Sequence, residues 1–129
     1  MEPSTNPAQP APHRSLIPSN RVEGTKVFDR SGTRIGKIDH LIIEKESGKS
    51  IYAVMTFGSF MALPRHTYLI PWEKLNYDKG LQGFVTDITE AELANAPDTD
   101  LDEDFFLDGQ RRKEKDVRRY WEVQNYWGL

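Results

Sequence analysis

Cysteine is missing from all 129 residues, so no disulfide framework, thiolate metal site or cysteine nucleophile is available. That absence fits a reducing compartment, and the cytoplasm is the expected location. Long apolar runs are missing too. Runs such as Leu41-Ile42-Ile43 are far too short, because a bilayer span needs about 20 apolar residues. The first residues, Met1-Glu2-Pro3-Ser4, lack the basic start and apolar stretch of a secretory signal. Histidine is scarce: His13, His40 and His66 have no metal-ligand spacing between them. His40 follows Asp39 in a strand-like segment, where neighbouring residues face opposite sides. No glycine-rich phosphate loop is present. Neither a catalytic set nor a bound cofactor or metal is therefore expected.

What is present is unevenly distributed. The net charge is −3. Residues 21–89 carry ten Lys/Arg against eight Asp/Glu, and residues 90–129 carry six against eleven. The acidity thus belongs to the tail. Neither region has the concentrated positive charge of a phosphate-tracking surface.

Four segments follow from composition. Residues 1–20 hold five of the eight prolines and few apolar side chains, a composition that reads as a disordered leader. Residues 21–97 read as a small β domain, with short strands broken by turns every 8–12 residues or so. The expected strands are Thr25–Asp29, Arg34–Lys45, Ser50–Phe57, His66–Ile70 and Gly83–Asp87. Asp29-Arg30-Ser31-Gly32, Glu46-Ser47-Gly48-Lys49 and Tyr77-Asp78-Lys79-Gly80 read as turns. The long second strand breaks alternation once, and a bulge near Gly36 would restore its register. Ser50–Phe57 is apolar on both faces, which places it centrally. Trp72–Leu75 suits one helical turn. Thr89 and Glu92 form a capping box for a short helix that Pro97 ends. Five strands so linked can close into an SH3-like barrel without exposed edges. Residues 98–110 form an acidic linker. Residues 111–129 hold a C-terminal amphipathic helix, Lys113–Gln124, with Val117, Tyr120, Trp121 and Gln124 at helical spacing.

The order of these features resembles the PRC-barrel family. The matching residues are Val27, Asp29 and Gly32, then Ile35-Gly36-Lys37-Ile38-Asp39, Gly48, Tyr52-Ala53-Val54, Phe57-Gly58 and Pro71-Trp72. From Tyr77 through Gly83-Phe84-Val85 to Leu93 and Ala96-Pro97 the chain is similar to small single-domain bacterial members. The resemblance implies a mainly β fold, shared with the cytoplasmic domain of the photosynthetic reaction-centre H subunit and the C-terminal domain of a ribosome-maturation factor. It also implies a docking role without chemistry. One departure stands out. Relatives carry further glycines after Gly58, where this chain reads Ser59-Phe60-Met61-Ala62-Leu63-Pro64.

Two segments are candidate contact surfaces for a protein partner or a second copy. The loop after Gly58 offers Phe60, Met61 and Leu63, and an apolar loop tip is best explained by docking. The C-terminal helix offers Tyr120, Trp121 and Trp127, packed on its own barrel or on a neighbour's, with its cations solvated. Arg111, Arg112, Lys113, Arg118 and Arg119 interleave with these aromatics, the pattern of a nucleic-acid contact or of a helix lying on an anionic membrane. The acidic run upstream argues against phosphates. Asp98, Asp100 and Asp102 match the first ligand positions of a calcium loop, but Glu103 stands where glycine is needed and Gly109 where glutamate is needed. A non-enzymatic binding or self-assembly module is the leading expectation, a ribosome- or RNA-associated factor the second, a membrane-peripheral scaffold the third. No small-molecule substrate is indicated.

Overall fold

Turn chemistry starts the fold. In the computed structural model, residues 16–58, 63–64, 67–97, 99, 101, 103–106 and 111–127 are described. Residues 1–15 of the leader lie outside them, and its last two residues begin helix α1 (Ser19–Val22), which buries Val22. Strands β1 (Lys26–Phe28) and β2 (Arg34–Ile43) are joined by a turn built on Asp29. Its Oδ1 accepts from the Ser31 and Thr33 amides at 2.9 and 3.0 Å and from the Ser31 hydroxyl at 2.6 Å. The Ser31 hydroxyl and the Thr33 amide hold the Asp29 carboxyl below its usual range. Gly32 closes the turn at φ +90°, a conformation that a Cβ would strain.

β2 pairs with β1 at one end and along its length with β3 (Ser50–Phe57), both antiparallel. The bulge expected near Gly36 is present beside it, and two further irregularities accompany it. Ile35 is extra opposite β1, Asp39 is extra opposite β3, and Ile51 is extra opposite the end of β2. Gly36 itself permits close approach. A Cβ there would lie 2.3 Å from the Thr56 carbonyl oxygen, so only glycine lets the two strands come together.

β4 (Thr67–Pro71) pairs antiparallel with β3, and Trp72–Lys74 then makes a 3-10 turn. The chain continues into β5 (Asn76–Asp78), turns, and returns as β6 (Gly83–Val85), which lies parallel to β1. The sheet therefore has six strands in the order β4-β3-β2-β1-β6-β5. The extra strand, β5, occupies residues that read as a turn. Among the described residues its two end strands are not paired to each other, so the expected closed barrel is an open one. It still rolls up: Trp72, next to β4, stacks edge-on against Phe84 of β6 at 5.3 Å, and the Thr86 hydroxyl donates to the Lys74 carbonyl at 2.8 Å.

Helix α2 (Glu90–Ala94) follows with the expected capping box between Thr89 and Glu92. A 3-10 turn, Glu103–Phe106, brings Phe105 into the core, so the acidic segment is more than a solvated linker. Helix α3 (Arg112–Tyr120) is shorter than expected and packs against β4. One contiguous core joins Val27, Ile38, Met55, Ile70 and Phe84 of the sheet with Leu93, Phe105, Val117 and Trp121 of the later elements. No helix among the described residues is long and apolar enough to cross a membrane.

Candidate functional site

The outer face of β3 and β4 explains where the C-terminal segment goes. Alternation along β3 sends Ala53 and Met55 to the inside and Tyr52 and Val54 to the other face, beside Leu69 and Pro71 of β4. All six are buried. β3 is not at the centre of the sheet but one strand in from its end. Its second apolar face is covered by α3 and the residues after it.

The covering is made through charge. Glu114, Val117, Arg118 and Trp121 are the buried residues along this helix and its cap, at the i, i+3, i+4, i+7 spacing of one helix face. Arg118, expected among the solvated cations, is only 1% exposed. Its Nε donates to the Tyr52 hydroxyl at 3.3 Å, and its Nη1 donates to Glu73 Oε2 at 3.0 Å and to the Gln124 carbonyl at 2.7 Å. Nη2 reaches the Ile51 carbonyl at 3.4 Å. The guanidinium also lies 5.0 Å from the ring centres of both Tyr52 and Tyr126. Tyr52 in turn donates to Glu114 Oε1 at 2.7 Å. A buried cation is tolerable only when so bonded.

Backbone geometry completes the arrangement. Past Trp121 the chain reverses at Glu122, φ +60°, with the Val123 amide bonded to the Arg118 carbonyl and the Glu122 amide to that of Arg119. This Schellman cap returns Gln124 and Tyr126 onto Arg118. Burial, and then the Glu114 carboxylate, push the Tyr52 hydroxyl far above its ordinary range and that of Tyr126 up to about 12. Burial works against the Arg118 charge, but Glu73 and Tyr52 outweigh it and keep the guanidinium more firmly protonated than usual.

The remaining candidates are scattered. Trp121 is buried, and the Tyr120 hydroxyl donates to the Glu92 carbonyl at 2.6 Å, tying α3 to α2. Trp127 is half-buried and stacks with Arg111, whose guanidinium lies 4.6 Å from its ring centre and 5.5 Å from that of Tyr126. Arg112 and Arg119 are exposed, Arg119 lying 3.7 Å from Asp116, while Lys113 is half-buried. Leu63 packs against the core. Phe60, Met61 and His66 lie outside the described residues, as do Asp98, Asp100 and Asp102.

His40 and Asp39 come together, contrary to the expectation from strand alternation. The Asp39 bulge turns both side chains to one side, leaving His40 Nδ1 2.6 Å from Asp39 Oδ2 on the surface. Among the described residues no group of three or more His, Cys, Asp or Glu could hold a metal ion.

Against known proteins, the PRC-barrel domain profile matches residues 16–93, which holds all six strands and all but the last residue of α2. No curated protein matches the chain.

Proposed function

The chain belongs to the PRC-barrel family, and from that premise we propose that it is a non-enzymatic docking module for a protein partner or a second copy of itself, acting in a bacterial cytoplasm. The observation that carries this reading is the fate of its most perturbed groups. Strongly shifted groups in a cleft mark a candidate active site. Here the shifted Tyr52 and Arg118 spend their hydrogen bonds on each other and on Glu114 and Glu73, and the Tyr52 shift is away from, not toward, a reactive phenolate. The cluster fastens a helix rather than presenting a nucleophile or base. An RNA-binding reading draws less support, because Arg118 is buried and Arg111 is stacked on aromatic rings.

The contact surface in this reading centres on Phe60, Met61 and Trp127. Trp121 and Tyr120 are already engaged within the chain, and Leu63 with the core. A photo-crosslinking residue placed at Met61 or at Trp127 tests it, in native lysate and with purified protein. A discrete cross-linked protein, or a cross-linked dimer, is the expected product. Failure of both positions to capture any protein would remove the docking reading.

A further inference from the structure

The seam between the two ends of the sheet carries apolar surface that the described residues leave exposed. Phe84 is buried between Trp72 and Tyr77, with ring centres at 5.3 and 5.2 Å, both edge-on. Trp72 is half-buried, Tyr77 is 50% exposed, and Leu81 in the adjoining turn is 39% exposed. Among the described residues β5, which carries Tyr77, pairs with β6 alone. Aromatic rings set apart over a shallow floor are what a polyproline II helix docks on, its prolines filling the slots between rings.

The chain contains such a segment. Pro7-Ala8-Gln9-Pro10 is a P-x-x-P sequence, flanked by Pro3 and Pro12. The chain that follows it enters the sheet at β1, two strands from Tyr77. Val27 of β1 pairs with Phe84 of β6, and Phe84 with Tyr77 of β5, so the three stand in one row across the sheet. Two strand spacings are about 10 Å, while 15 residues of polyproline II reach about 45 Å. Charge agrees: Arg14 ends the segment, and Asp78 adjoins Tyr77. Isolated docking of this kind is weak, but a short tether supplies an effective concentration in the millimolar range, which favours the chain's own segment over a foreign one.

We infer that the proline-rich residues 3–14 dock in cis on the Trp72–Tyr77–Leu81 seam. This does not depend on which partner the module meets elsewhere. The absence of cysteine makes the test clean: Ser4→Cys gives the full-length chain a single site for a nitroxide label. At an effective concentration of about 1 mM and an affinity of similar size, half the molecules are docked, so a loss of about twofold or more in peak intensity is expected. It should fall on the Trp72 indole and the Tyr77–Leu81 amides of dilute 15N-labelled protein, and disappear when Pro7→Ala and Pro10→Ala are added. Matching amide spectra of the two chains away from the seam show that both are folded, so the comparison does not hinge on folding. Absence of selective broadening would overturn the inference. So would broadening that survives the proline substitutions, or that appears only when labelled and 15N chains are separate molecules.

Discussion

Arg118 determines how the C-terminal segment is held. Its N–H groups find acceptors on four partners, and two tyrosine rings flank it. Removing one member of a buried, bonded ion set leaves the others uncompensated and costs about 3–5 kcal/mol. Arg118→Ala should therefore lower the urea midpoint by that equivalent. Arg118→Lys should recover only part of the loss, because an ammonium cannot reproduce the planar fork. Glu73, half-exposed at its side chain, is the weaker partner, and Glu73→Gln should cost no more than about 1 kcal/mol in the same titration.

The tyrosines give a pH signature of the same cluster. Tyr126 keeps its proton in the folded state up to about pH 12, and Tyr52 keeps its proton further still. In the unfolded chain both ionise near pH 10. Between those values the unfolded state binds fewer protons, so stability contributed below pH 10 is lost as pH rises toward 12. Absorbance at 295 nm should show these two of the five tyrosines titrating late, Tyr126 near pH 12 and Tyr52 after it. Tyr52→Phe and Tyr126→Phe should each remove one late-titrating group. A folded protein whose tyrosines all ionise near pH 10 would contradict the burial described.

Among the elements, α3 is the one whose inward face is hardest to read from sequence. Its buried stripe is Glu114, Val117, Arg118 and Trp121, and two of those four are charged. A search for apolar periodicity passes over them and selects Tyr120 and Gln124 instead, which misplaces the buried face. β5 escapes notice for a different reason: three residues, Asn76–Asp78, are too few to show alternation, and their composition is that of a turn. The turn chemistry around Asp29 and Gly32, the Thr89 capping box and the strand cores are legible, because each rests on local rules that later packing does not override. Phe105-Phe106-Leu107 in the acidic segment is the available sign that this stretch also reaches the core.

Two substitutions test individual elements. The cap of α3 holds Glu122 at φ +60°, a conformation that costs a non-glycine residue on the order of 1 kcal/mol or more. Glu122→Gly should raise stability by up to about that amount, measured by denaturant midpoint. Gly36→Ala should act in the opposite direction. Its Cβ would meet the Thr56 carbonyl at 2.3 Å and Phe57 Cα at 3.2 Å, so the strands must part, at a cost of about 1–3 kcal/mol.

At the scale of the molecule, the double apolar face of β3 and the aromatic C-terminal segment are one feature. The family profile ends at residue 93, yet the core continues through Phe105, Val117 and Trp121. The rolled sheet leaves the outer side of β3 and β4 uncovered, and α3 supplies the missing layer, held by ions rather than by apolar contact alone. Interfaces of that composition are more polar than a domain core, which leaves room for the cover to be part of the fold and still be specific.

Native-state hydrogen exchange tests that claim most directly, by comparing the Trp121 amide, bonded to the Val117 carbonyl at 3.1 Å, with the Ala53 and Ile70 amides of the sheet. If α3 is a layer of the fold, Trp121 opens with a free energy close to that of global unfolding, and Arg118→Ala lowers it together with that of Ala53 and Ile70. If Trp121 instead exchanges as fast as an unprotected amide while Ala53 and Ile70 stay protected, the helix is an appendage and not a layer of the fold.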